Sequence, residues 1–295
     1  MAGADFTRIA TNISALNSLN ALQKVNPKLA KVIPRCMYRK LERLLHVKEI
    51  NEFFAAHHDD DARTFLDAVV SHLDLQIVIE GQGIEALHAL EGERVIFASN
   101  HPYGGPEAMA LFSIVHQLFP DAKLVAQSFL KFIKPIETAC VFNKKEVKTL
   151  MEAANNRSSL IFYPAGYCSR ILSNGEVFDY SWQSSFVRIA RKQRMPILII
   201  YTDGELSRKV HRWTRLRKLL RIKLSIETIF LVDEMFKLKG KTLRMVVGSA
   251  ITPEMIDEAK MSDRLLADKL RQYCYELRKD PELVFDPNIV PTLPQ

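Results

Sequence analysis

Six short apolar runs, at residues 75–79, 95–98, 123–126, 160–163, 197–200 and 243–247, constrain this chain more than any other feature. Each is of strand length and rich in Val, Ile, Leu and Phe. Between most of them lie segments whose apolar residues recur every three or four positions: 107–118, 146–155, 182–193 and a basic stretch at 208–223. Short strands alternating with helices predict an α/β fold: a largely parallel or mixed central sheet flanked by helices. Upstream, Leu41, Leu44, Leu45, Ile50, Phe53 and Phe54 fall at helical spacing, and 64–73 continue it, so an N-terminal helical subdomain is expected to pack on the sheet. Two more helices are expected near 253–259 and 262–278, before an irregular Pro-containing tail. The expected organisation is a helical subdomain at 1–74, an α/β domain at 75–260 and a C-terminal helix and tail at 261–295.

Ordinary globular proportions, 47% hydrophobic and 25% charged over 295 residues, exclude intrinsic disorder and a disulfide-stapled miniprotein. Cys36, Cys140, Cys168 and Cys274 are scattered without a C-x-x-C pair, so a zinc or redox site is not expected and reduced thiols in a cytosolic protein are. The first residues lack the apolar core of a signal peptide, so none is expected, and no apolar stretch approaches the ~18–20 residues that span a bilayer. His57-His58-Asp59-Asp60-Asp61 reads as an acidic turn before a helix rather than a metal site, since consecutive residues do not converge on one ion.

Charge is concentrated. Residues 191–223 hold eleven Lys and Arg against two acids, a local net of +9 in a chain whose net is +7. Within that segment Val210, Trp213, Leu216, Leu220 and Leu224 form one apolar stripe. Arg208, Lys209, Arg212, Arg215, Arg217, Lys218, Arg221 and Lys223 fill most of the remaining circumference without a carboxylate. Such a helix suits an anionic membrane surface, with Trp213 at headgroup level, or an acidic protein. Alternatively it is a solvated surface helix whose stripe packs on the core. No zinc-finger or RNA-recognition signature accompanies it, so nucleic acid is not an expected partner.

In open α/β sheets ligands bind beyond the carboxyl ends of strands. The loop after 95–98 reads Ser99-Asn100-His101-Pro102-Tyr103-Gly104-Gly105-Pro106-Glu107, with Pro106 suited to the first helical position. A histidine acting as general base needs an acid to hold its tautomer, and Glu107 is placed to do so if the turn folds back. Alternatively, His101 makes an ordinary loop hydrogen bond while Glu107 caps the helix; the residues alone do not choose. The loop after 160–163 reads Pro164-Ala165-Gly166-Tyr167-Cys168-Ser169-Arg170. Gly166 permits close backbone approach and Arg170 suits a phosphate or carboxylate, while Cys168 reads as passive rather than nucleophilic. The third loop, 202–207, has neither a nucleophile elbow nor a phosphate-loop lysine.

Taken in order, these blocks resemble the glycerolipid acyltransferase superfamily, in particular its hemolysin-like branch of ornithine-lipid and aminolipid acyltransferases. Asn100-His101-Pro102-x-Gly104-Gly105-x-Glu107 is similar to that branch's Asn-His-Pro-x-Gly-Gly-x-Asp. Tyr163-Pro164-Ala165-Gly166-x-x-Ser169-Arg170 is similar to its Phe-Pro-Ala-Gly-Glu-x-Ser-Arg. Asp179-x-x-Trp182-x-x-x-Phe186, Met195-Pro196-Ile197 and the block at 231–236 follow the same order, and the resemblance spans 75–252.

The resemblance implies transfer of a fatty acyl chain from acyl carrier protein or acyl-CoA to a hydroxyl or amine of a lysolipid or amino-acid-type lipid precursor. It implies a His101/Glu107 pair, with backbone N–H groups at Gly104 and Gly105 facing the oxyanion. Asn100, Gly104, Gly105, Gly166, Ser169 and Arg170 would bind substrate. No bound cofactor and no metal are implied, and the expected place is the cytoplasmic face of a membrane, peripherally attached. The expected partners of Arg208, Lys209, Arg212, Trp213, Arg215, Arg217, Lys218 and Arg221 are an anionic membrane surface and acyl carrier protein. Two departures, Glu107 for the usual Asp and Ala165 with Tyr167 where relatives carry Glu, ground the alternative of a catalytically weak or inactive lipid-binding relative.

Overall fold

Residues 35–142, 147–155, 158–172, 174–219 and 227–288 are described by a computed structural model. Helices α1 (Arg35–Leu44), α2 (Val47–Ala56) and α3 (Ala62–His72) precede strand β1 (Gln76–Gly81). A short α4 (Gly83–His88) leads to β2 (Ile96–Ser99), then α5 (Pro106–Leu118) and β3 (Lys123–Ala126). A 3-10 turn (Ser128–Phe132) and α6 (Lys134–Glu137) connect to β4 (Cys140–Phe142), and α7 (Val147–Asn155) to β5 (Leu160–Phe162). The hairpin β6 (Arg170–Ile171) and β7 (Val177–Phe178) precedes α8 (Ser185–Gln193) and β8 (Ile197–Thr202). Next come α9 (Arg208–Leu219), α10 (Glu227–Phe236), β9 (Thr242–Ile251), α11 (Pro253–Glu258) and α12 (Asp263–Glu276).

The seven-stranded sheet is ordered β1-β9-β8-β2-β5-β3-β4. β2 pairs in parallel with β5 and β8, β3 with β4 and β5, and β1 with β9, whereas β8 and β9 are antiparallel. The sheet is mixed, within the expected class. One helix returns a chain for a parallel strand, while the two between β8 and β9 bring it back to the end it left.

Every residue of β2 and β8 is buried, because both faces of the sheet are covered. Alternate residues serve opposite layers. Ile96, Ala98, Ile197 and Ile199 pack with Phe186 of α8 and Leu266 and Leu270 of α12. Phe97, Ile161, Leu198 and Ile200 pack with Phe65 and Leu66 of α3 and Leu111 and Phe112 of α5. Since β2, β5 and β8 are parallel neighbours, the loops after them emerge along one edge of the sheet.

The expected helix at 182–193 begins only at Ser185. Trp182 is wholly buried and its indole N–H donates to Asp179 at 2.8 Å, so the segment before Ser185 is held by the core rather than by helical bonds. β4 and the β6–β7 hairpin, of three and two residues per strand, were not expected from the pattern. Of the basic segment, α9 reaches Leu219; Arg221 and the following residues through 226, like 1–34, lie outside the described residues. In the turn at 57–61, His57 Nδ1 lies 2.7 Å from Asp60, and Asp61 caps α3 by accepting the Thr64 N–H at 2.7 Å. Among the described residues no His/Cys/Asp/Glu group is arranged to hold a metal ion.

Candidate active site

Pro106 and the Gly105 cap start α5 so that its second residue, Glu107, points back into the preceding turn. The carboxylate is completely buried and sits inside that turn. Its Oε1 accepts the N–H groups of Tyr103 at 3.0 Å and Gly104 at 2.9 Å, and its Oε2 accepts that of Gly105 at 3.1 Å. The same Oε1 lies 2.9 Å from His101 Nδ1, off the line of a well-aligned hydrogen bond. Burial alone would push the Glu107 carboxyl up; the charge of His101 and the N–H donors of Gly104 and Tyr103 outweigh it and hold the group below its ordinary 4.5.

The His101 side chain is 17% exposed. Its ring lies against Tyr163, with centroids 4.4 Å apart, and the Tyr163 hydroxyl donates to the Glu107 carbonyl at 3.5 Å. With Nδ1 facing the carboxylate, the basic lone pair belongs to Nε2, which meets no partner among the described residues. The arrangement can take a proton from a nucleophile and stabilise the resulting imidazolium.

The N–H groups of Gly104 and Gly105, expected to face an oxyanion, instead donate to Glu107. A carboxylate one methylene longer than aspartate fills the turn that those donors line. Asn100, expected to bind substrate, is a strut: its Nδ2 donates to the Thr202 carbonyl at 2.8 Å and its Oδ1 accepts the Thr202 N–H at 2.7 Å. It therefore ties the end of β2 to the end of β8 and, at 1% exposure, presents nothing to a ligand.

Ser169 is also turned inward. Its hydroxyl donates to Asp179 at 2.6 Å, and its N–H donates to the His101 carbonyl at 2.9 Å. Gly166 turns at φ +72°, in the left-handed region that favours glycine. Arg170 is exposed, its guanidinium 4.3 Å from the centre of the Tyr180 ring. Ala165 is packed in the core, so apolar contact occupies one position where an acid was expected, while Tyr167 is 70% exposed. Cys168 packs against Gly104, and burial with help from Glu107 and Asp179 pushes its thiol up to about 12, which makes it passive at neutral pH.

Three contributors were given no role from sequence. Asp179 collects Ser169, Trp182 and Tyr275; its signal was the Asp179-x-x-Trp182 spacing, since a buried indole needs an acceptor. Tyr275 arrives from α12, and no local pattern marks it. Glu234 of α10 accepts the Ser207 N–H at 2.6 Å and its hydroxyl at 2.8 Å, fixing the start of α9.

On α9 Arg208, Lys209, Arg212 and Trp213 are exposed, whereas Val210 is buried. Trp213 stacks on Phe230 of α10 at 6.1 Å and the Lys209 ammonium lies 5.1 Å from the same ring, so one side of the indole meets the next helix while Trp213 stays 43% exposed. Arg215, Arg217 and Lys218 belong to the same helix. Leu231 of α10 lies against the Gly104 turn. Among the described residues no helix is long and apolar enough to cross a membrane.

A family model described as Acyltransferase covers residues 20–281, and the chain belongs to this family of acyltransferases. It is 30% identical over 242 residues to a lyso-glycine lipid O-acyltransferase of Bacteroides thetaiotaomicron, covering 79% of this chain and 87% of the relative. A second protein of the same description, from Phocaeicola vulgatus, is 28% identical over 241 residues, covering 79% and 85%. The crystal structure of a 1-acyl-sn-glycerophosphate acyltransferase from Thermotoga maritima aligns at a TM-score of 0.46 and 13% identity, over 94% of this chain and 95% of that one, a likeness too loose to carry an argument.

Proposed function

We propose that this acyltransferase moves a fatty acyl chain from an acyl thioester, carried on acyl carrier protein or coenzyme A, to the free hydroxyl of a lysolipid of the glycine-lipid kind. His101 is the general base and Glu107 the acid that orients it. Nε2 takes the hydroxyl proton as the acceptor oxygen adds to the thioester carbonyl carbon. The C–S bond then breaks, and the imidazolium returns its proton to the departing sulfur, leaving an ester and a free thiol. Glu107 stabilises the charged ring between these two transfers.

What supports the reading is the 2.9 Å approach of a buried carboxylate to Nδ1 of a partly exposed ring. The acceptor class follows the names of the two bacterial relatives. The exposed guanidinium of Arg170 suits an anionic headgroup. Arg208, Lys209 and Arg212 suit the acidic carrier or an anionic bilayer, with the protein attached peripherally to the cytoplasmic face.

The test supplies purified protein with acyl carrier thioester or acyl-CoA and a lyso-glycine lipid, following thiol release and the mass of the product. The diacylated lipid is expected from the unaltered protein. Its formation by His101→Ala is expected to fall on the order of 10²–10⁴-fold, with the variant still folded. Full transfer by that variant would remove His101 from the mechanism.

A further inference from the structure

The His101 main chain is gripped from both sides by one ring of hydrogen bonds. Its N–H points to Asp179 Oδ1 at 3.5 Å, and its carbonyl accepts the Ser169 N–H at 2.9 Å. Ser169 closes the ring by donating its hydroxyl to the same Oδ1 at 2.6 Å. The first and second loops of the site therefore meet on a single oxygen atom. Tyr275 of α12 donates to that oxygen as well, at 3.0 Å, and the other oxygen takes the Trp182 indole N–H at 2.8 Å.

Such a carboxylate is costly to bury. Asp179 is 1% exposed, and burial raises its pKa against the pull of Ser169, Trp182, His101 and Tyr275. Arg271, itself buried, reaches the Asp179 carbonyl at 3.4 Å. A purely packing role would be met by an apolar residue, since buried charge is weak evidence of added stability.

We propose that Asp179 is a positioning residue of the acyl transfer reaction: it locks the His101 peptide to Ser169, so that the imidazole stays on Glu107. The role rests on His101 being the base. The titratable groups around the pair are Glu107 of α5, Tyr163 and Cys168 of the second loop, and Arg271, Cys274 and Tyr275 of α12. None supplies a negative charge at neutral pH except Glu107. Burial holds the two thiols and two phenols in their neutral forms, and Arg271 stays cationic.

The test is Asp179→Asn in the full chain, with kcat and KM measured across pH using acyl-CoA or acyl carrier thioester and lysolipid. A fall in kcat of roughly 10–100-fold is expected with KM for the donor little changed, the size associated with a reacting group displaced by up to ~1 Å. A folded Asp179→Asn with unchanged kcat overturns the proposal, as does a loss of activity that merely follows the unfolded fraction. Should Asp179→Asn not fold, Tyr275→Phe serves. It removes one donor to the same oxygen and keeps the ring, and a lowered kcat at unaltered donor KM is expected. Unchanged kcat there would equally sink the role. Inactive His101→Ala beside an unaffected Asp179→Asn removes Asp179 alone, whereas an active His101→Ala removes the base on which it depends.

Discussion

Replacing Glu107 by the aspartate usual in related sequences is expected to lower activity, although charge is kept and the family pattern is restored. The side chain shortens by one methylene, drawing the carboxylate back about 1.5 Å, one carbon–carbon bond. The present 2.9 Å contact with His101 Nδ1 would open to about 4.4 Å if the backbone stays put. The helix is not free to follow: Pro106, Ala108, Ala110, Leu111 and Phe112 are all buried along α5. Displacement by more than ~1 Å is associated with losses near 10²-fold, or about 2.7 kcal/mol at 1.36 kcal/mol per tenfold. The three N–H groups that now meet Glu107 would also lose reach, at about 1 kcal/mol for each bond lost and roughly 2–4 °C in Tm per kcal/mol. The assay is thiol release from the acyl thioester at saturating lysolipid, with a thermal melt in parallel. A Glu107→Asp protein as active as the original, or more so, with an unshifted melt, would refute the claim that this turn is built around glutamate.

Asn100→Ala removes both bonds to the Thr202 backbone and leaves two buried polar groups unpaired, so urea unfolding should show a loss of about 2–4 kcal/mol; an unchanged midpoint would contradict its role as a strut. The Glu107 carboxyl is held below its ordinary 4.5, so the stability it lends is fully present above about pH 4.5 and is lost as pH falls through the lower folded value. Glu107→Gln should flatten that part of a Tm-against-pH series, and two parallel acid curves would count against the sign. Changing Arg208, Lys209 and Arg212 together to Ala should weaken binding to anionic vesicles by about 10²-fold at low salt, at about 1 kcal/mol per charge near the surface. Equal binding by the triple variant would show that another face meets the lipid.

Sequence carried the layered fold because its strands are buried on both faces and read as unbroken apolar runs: β2 and β8 are visible for that reason. Strand direction was less accessible, since whether β9 runs with or against β8 depends on a pairing made forty or more residues away. The two-residue strands β6 and β7 have no period to detect. At the site, Pro106 announces the helix start that turns Glu107 back, while the residues alone leave open whether His101 pairs with it, and only the family resemblance implied the pair. The tasks of Asn100, Gly104, Gly105 and Ser169 were not legible. A polar residue in a loop motif reads as ligand-binding until its partners are known, and here those partners are the Thr202 backbone, the Glu107 side chain and Asp179. Tyr275 reaches the site from an element with no motif at all, through packing of α12 on the sheet.

The two tryptophans are placed so differently that the protein contains its own pair of optical reporters. Trp182 is sealed in the interior with its indole fixed to Asp179, so its emission should be blue and should redden only when the scaffold around the histidine loosens. Trp213 is 43% exposed on α9, where its colour and quenching by iodide should respond to whatever that helix touches. With Trp213→Phe and Trp182→Phe as single-fluorophore versions, loosening of the interior and contact at the surface become two separate wavelengths in one cuvette.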